Sequence, residues 1–166
     1  MSRPAPARFP ASRKPVAALM QAVLGRSTSL FAEDWDAHRE ALDGLFRGRS
    51  VLVVGGAGSI GSAVVRRMVR LAPAKVVVID RDENGLVELV RAVRSDPAVE
   101  FSGELICEPL DFGDAIGLEA IGRHGPYDVV SNFAAMKHVR SEKSVWALLA
   151  MLMTNVVKLW DLLSLT

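Results

Sequence analysis

Val51-Leu52-Val53-Val54-Gly55-Gly56-Ala57-Gly58-Ser59-Ile60-Gly61 is the stretch on which the reading of this chain turns. Val51–Val54 is a short, wholly apolar run of the kind that forms a buried parallel strand. Beyond the glycines, Val64, Val65, Met68 and Val69 recur at helical spacing until Pro73, which predicts a helix over Ser59–Ala72. Strand, glycine turn and helix in that order form the context that a dinucleotide fingerprint requires. The glycines serve different ends: Gly55 allows the tight turn, Gly58 the close approach of backbone to a pyrophosphate, and Gly61 the helix–strand packing. The phosphates would meet the helix N-terminus at Ser59 and Ile60, where free N–H groups and the helix dipole favour an anion. Ser62 follows Gly61 where a P-loop needs Lys, so that motif is excluded.

Three glycines alone also fit a turn that binds nothing. The next strand argues against that. Lys75-Val76-Val77-Val78-Ile79 is β-branched and ends in Asp80, nineteen residues past Gly61, where a carboxylate accepts the ribose hydroxyls of an adenosine. Arg81 stands beside it as a partner for a 2′-phosphate, so NAD and NADP both remain open. Asp111, just past the third strand, is a candidate acceptor for an adenine amino group; equally, it reads as a turn acid capping the next helix.

The composition suits such a domain. At 166 residues the chain can bury a sizeable core, and half of it is hydrophobic, as parallel strands covered on both faces require. A net charge of +1 gives no electrostatic reason to invoke nucleic acid. Cys107 is alone and reads as a small core residue; no Cys/His pair has zinc spacing, so no metal is expected. Residues 1–32 lack Asp and Glu, and residues 1–15, rich in Pro, Ala, Arg and Ser, are expected to be disordered. Val16–Leu24 lacks a signal-peptide cleavage site in its flank and is interrupted by Gln21, so a cytoplasmic location is expected over a secretory or organellar one.

Three segments follow: 1–32, a leading helix within 33–48, and an incomplete dinucleotide-binding domain over 49–166. Within the last, helices are expected over 83–94 and up to His124, with strands near Leu105–Cys107 and Asp128–Val130. His38 and His124 read as ordinary helix residues without evident partners. The βαβ alternation predicts an α/β fold, a Rossmann-like doubly wound parallel sheet ending after its fifth helix. That helix, 144–165, has fourteen uncharged residues at its start. Thr154, Asn155, Lys158 and Asp161 interrupt the run, so the expectation is an oligomer interface, giving a homo-oligomer, and no membrane span.

Past the fourth strand, Asn132-Phe133-Ala134-Ala135-Met136-Lys137-His138-Val139 resembles the A-A-x-K-H-V segment of the nucleotide-sugar 4,6-dehydratases of polysaccharide biosynthesis, in the extended short-chain dehydrogenase/reductase superfamily. Val54 to Ser62 is similar to that family's glycine turn, Arg81-Asp82-Glu83 to its R-D-E, and Thr154-Asn155-Val156 to its T-N-V. The resemblance covers residues 49 to 163. It implies that Ala134 and Ala135 lie against the cofactor, and that Lys137 and His138 face a nucleotide-sugar substrate. It also implies a reaction in which a hydride passes from sugar C4 to bound NAD(P)⁺, the C5 proton becomes acidic, water leaves from C6 and the hydride returns there. Val54 and Phe133 depart from the family's usual Thr and Ala, and Phe133 is expected to crowd the backbone beside the nicotinamide.

The superfamily's Tyr-x-x-x-Lys, with Met for Tyr in some of these dehydratases, does not occur: Ser131 stands four residues after Tyr127, and no Met is followed at that distance by Lys. The T-D-K segment is missing too. The expectation is therefore the cofactor-binding half of a longer enzyme, without its catalytic groups. An epimerase of the same superfamily and a non-catalytic dinucleotide-binding module are the alternatives.

Overall fold

The computed structural model describes residues 16–25, 30–137 and 144–166, in two compact units, Met1–Arg39 and Glu40–Thr166. Residues 1–15 and the expectation of disorder there lie outside the described residues. The first unit holds helices α1 (Val16–Leu24) and α2 (Ala32–Ala37). The helix expected over Glu33–Phe46 is divided at His38, and α3 (Arg39–Phe46) begins after it. His38 leaves helical geometry (φ −105°, ψ 8°), and its Nδ1 lies 2.8 Å from the Asp34 carbonyl oxygen, so the imidazole caps the last turn of α2.

The second unit is an α/β layer structure. Strands β1 (Ser50–Val54), β2 (Lys75–Ile79), β3 (Glu104–Glu108) and β4 (Val129–Asn132) form one parallel sheet in the order β3-β2-β1-β4. Leu52 stands opposite Val77 on one side and Val130 on the other. Between the strands run α4 (Ser59–Met68), α5 (Glu83–Ser95) and α6 (Ala115–His124). The helix predicted to reach Ala72 ends sooner: Val69–Leu71 tightens into a 3₁₀ turn, and Ala72 adopts the left-handed conformation (φ 51°) before Pro73.

Strand periodicity sorts the core. Val51, Val53, Val76 and Val78 face one way and pack on Val65 and Met68 of α4 and Leu86, Leu89 and Val93 of α5. Leu52, Val54, Val77 and Ile79 face the other way, against Phe112 and Ile121. Each fully buried Val, Leu or Ile contributes about 1.5–3 kcal/mol of burial, and these two strands are buried on both faces. Cys107 packs at the edge of the first cluster, and burial pushes its thiol up to about 11, which suits a structural residue.

The C-terminal helix has three parts: α7 (Val145–Leu152), a π turn (Met153–Val157) and α8 (Lys158–Leu165). By length and composition it is apolar enough to cross a membrane, with a mean hydropathy of 1.5 over its most apolar window. One side nevertheless packs on the sheet, since Leu162 is fully buried in the second cluster and Asn155 and Lys158 bond to loops of the α/β layer. The other side is bare: Trp146 is 81% exposed and Trp160 72%, with Leu149, Met153, Val156 and Leu163 also exposed.

Candidate functional site

The chain leaves β1 toward β2 on one side and returns to β4 on the other, and the helices that follow these two strands, α4 and α8, pack on opposite faces of the sheet. This switch point opens a crevice at the carboxyl ends of the strands. A cleft of about 210 Å³ lies there, lined by Val54, Gly55, Gly58, Ile79, Asp80, Arg81, Leu110, Asp111, Phe112, Phe133, Ala134, Ala135, Met136, Thr154 and Lys158.

The three glycines separate cleanly. Gly55 has φ +77°, and a Cβ there would stand 2.5 Å from the Ala134 nitrogen, so only glycine lets the β4 loop close over the turn. At Gly61 a Cβ would overlap the Gly55 carbonyl oxygen and come within 2.8 Å of Gly56 Cα; this glycine packs α4 onto the turn. Gly58 differs. Its φ of −63° and ψ of 163° suit any residue, and a Cβ would meet only the Gly55 oxygen, at 3.5 Å. Nothing inside the chain requires glycine here: the position lines the cleft at the start of α4.

No side chain caps that helix, and Ser62 makes its first bond, donating to the Gly58 carbonyl at 2.8 Å. The first-turn N–H groups of Ser59 and Ile60, both exposed residues, point out of the terminus. Asp80 lies across from them. Its Oδ2 accepts the Ala57 N–H at 2.9 Å and its Oδ1 the Asp82 N–H at 3.0 Å, which tie β2 to the glycine turn and fix the carboxylate at the rim. Each oxygen keeps a lone pair for a hydroxyl. An uncapped helix terminus, a glycine free of packing contacts and a fixed carboxylate fit a dinucleotide, whose pyrophosphate and ribose need those groups.

Asp111 is differently occupied. Lys158 Nζ donates to both of its carboxylate oxygens at 2.7 Å, and the Gly113 N–H donates to Oδ1 at 3.0 Å. Arg81, 75% exposed, has a guanidinium nitrogen 3.8 Å from Oδ2. Burial works to raise the Asp111 carboxyl, but the Lys158 ammonium, the Gly113 N–H and Arg81 outweigh it and hold it below the ordinary carboxylate value. The cap of α6 is Asp114, whose side chain accepts the Gly117 N–H at 2.7 Å, so the capping reading of Asp111 belongs to its neighbour.

The cleft thus gathers Gly55, Gly58, Asp80, Arg81, Asp111, Ala134 and Ala135. Ser59 and Ile60 stand at its phosphate end, and Gly61 is buried behind them. Lys137 is exposed and does not line the cleft; His138 lies outside the described residues. Phe133 lines the cleft and packs against the first core cluster. The Thr154-Asn155-Val156 segment holds a loop in place. Asn155 accepts the Met136 N–H at 2.9 Å and returns a bond to the Met136 carbonyl at 2.8 Å, clamping the loop after β4 to the π turn. Lys158 is a charged cleft residue that the sequence reading assigned no role; its signal was the one basic side chain in a mostly apolar helix.

Two histidine expectations change. His124 has a partner, with its Nε2 3.0 Å from Glu108 Oε1, and its carbonyl accepts from Lys75 Nζ. His38 ends a helix, as described above. Tyr127 is structural: it donates to the Ile121 carbonyl at 2.8 Å, and burial pushes its hydroxyl up to about 12.

Residues 51–163 match the family described as "Polysaccharide biosynthesis protein". The chain belongs to this family. It lies within the extended short-chain dehydrogenase/reductase superfamily, among nucleotide-sugar dehydratases and epimerases that it resembles. A dTDP-glucose 4,6-dehydratase of Neisseria meningitidis is 34% identical over 116 residues, which make up 69% of this chain and 30% of that protein. A UDP-glucose 4-epimerase of Cyamopsis tetragonoloba is 37% identical over 91 residues, 55% of this chain and 25% of the relative. The chain therefore spans less than a third of these relatives' lengths. Among solved structures, the UDP-Glc/GlcNAc 4-epimerase of Campylobacter jejuni superposes with a TM-score of 0.56 at 25% identity, over 70% of this chain and 33% of that one. The Bordetella bronchiseptica enzyme WbmF, in complex with NAD⁺ and UDP, shares the fold (TM-score 0.51, 24% identity, covering 74% and 32%).

Proposed function

We propose that the Glu40–Thr166 unit is the NAD-binding part of a nucleotide-sugar 4,6-dehydratase acting in polysaccharide biosynthesis in the cytoplasm. The observation that carries this reading is Gly58: a glycine that packing does not require, at an uncapped helix N-terminus, facing the cleft that Asp80 rims. The α4 terminus would hold the pyrophosphate, Asp80 the adenosine ribose, and Ala134 and Ala135 the nicotinamide end. A bound nicotinamide dinucleotide supplies a hydride acceptor. This chain's own residues orient it: Gly55 closes the turn, and Asn155 holds the Met136 backbone where the β4 loop leaves the cleft. Lys137 and His138 remain the proposed substrate-side residues.

NAD is favoured over NADP because the Asp80 carboxylate is fixed where a 2′-phosphate would bring like charge, while Arg81 already leans toward Asp111. Titration followed by nicotinamide fluorescence tests this. NADH is expected to bind at least about tenfold more tightly than NADPH, about 1.4 kcal/mol. No binding of either would overturn the reading. An epimerase is the second reading, favoured by 4-epimerases among the relatives. The bare face of the 144–165 helix suits a homo-oligomer contact. Light scattering should report a dimer or larger species, and a monomer at concentrations on the order of tens of micromolar would contradict it.

A further inference from the structure

The order of strand ends fixes where a bound dinucleotide's base must go. With the pyrophosphate at α4, after β1, and the ribose at Asp80, after β2, the base lies over the end of β3, against Asp111 and Phe112. A carboxylate there has about four lone-pair sites to offer. On Asp111, Oδ1 already accepts from Lys158 and Gly113, and Oδ2 accepts from Lys158 and faces Arg81. Little acceptor capacity is left for an amino group. Lys158 also lines the cleft beside the base position, its Nζ 6.0 Å from the centre of the Phe112 ring, with one of its three N–H donors unspent on Asp111.

We infer that Lys158 is a specificity-determining residue of the base subsite: it withdraws Asp111 as reader of the 6-amino group and presents a donor instead, so the cleft accepts a 6-oxo purine as readily as adenine. The low ionisation range of Asp111 fits this pairing, because the carboxylate stays charged and held by Lys158. The inference rests on the dinucleotide reading above and is separable from it.

The test is calorimetric titration of the full chain with NAD⁺ and with nicotinamide hypoxanthine dinucleotide, in which an oxo group replaces the 6-amino group of the purine and N1 carries the proton of the lactam. Wild type should bind the two within about threefold of each other. Lys158→Met, similar in length but without charge, frees Asp111 and should prefer NAD⁺ by about tenfold, the worth of one hydrogen bond to a charged group. Lys158→Arg keeps the ion pair and should keep the wild-type ratio. A wild-type preference for NAD⁺ of tenfold or more overturns the inference while leaving dinucleotide binding standing, and this comparison decides even if Lys158→Met does not fold. An unchanged ratio in a folded Lys158→Met also overturns it. If wild type binds neither compound, the dinucleotide reading fails and the inference falls with it.

Discussion

Gly58→Val is expected to abolish dinucleotide binding while leaving the fold intact. The backbone at this position is ordinary for any residue, and the nearest atom to an added Cβ is the Gly55 oxygen at 3.5 Å, so the turn has no reason to move. The branched side chain would instead project into the cleft at the helix terminus, in the space that a pyrophosphate must enter to reach the Ser59 and Ile60 N–H groups. Affinity should fall by at least about a hundredfold, about 2.7 kcal/mol. Fluorescence titration measures the loss, and circular dichroism should show an unchanged spectrum with a melting temperature within a few degrees of wild type. Binding equal to wild type in the folded variant would mean that the phosphates do not lie over Gly58.

Gly61→Ala should produce the opposite result, a loss of fold. Here an added methyl would collide with the Gly55 carbonyl and crowd Gly56 Cα, both backbone atoms that no rotamer change can clear. Relief requires α4 to lift from the turn, and with it Val65 and Met68 from the core beneath. Overpacking of a core typically costs about 1–3 kcal/mol and occasionally more. A clash against backbone of the turn, which no rotamer change relieves, belongs at or above the upper end of that range, about 3–5 kcal/mol, a large part of the ~5–15 kcal/mol that holds a domain together. The melting temperature should drop by more than about 10 °C. A shift under about 2 °C would show that the turn and helix are not packed as described. Together the two variants separate a glycine kept for a ligand from one kept for packing.

How much of this is legible in the sequence follows from the range of the interactions. Strands β1 and β2 announce themselves because each is buried on both faces and carries almost nothing but β-branched and apolar residues. The glycine spacing and Asp80 are local to one βαβ unit, so sequence distance is enough to bring Gly55, Gly58 and Asp80 to one cleft. Asp111 is identifiable as a cleft residue, but its occupation is not, because its partner Lys158 lies 47 residues away and meets it only when α8 docks through Leu162. The pairing of His124 with Glu108 spans only 16 residues, but it joins the last residue of α6 to the last of β3, and no motif spacing marks that meeting. The break at His38 turns on one imidazole competing for a last-turn carbonyl, which apolar periodicity does not register. Likewise the π turn at Met153–Val157 lies inside an unbroken helical pattern and coincides with the Asn155 clamp on Met136.

Amide hydrogen exchange of the wild-type chain, with and without saturating NAD⁺, is the measurement that bears most directly on the cleft as a dinucleotide site. Slowed exchange is expected at residues 58–62, where the first turn of α4 would donate to phosphate, and at residues 80–82, where the ribose would lie against the rim. Unchanged exchange at both segments under saturating NAD⁺, or protection confined to the 144–165 helix, would contradict the account.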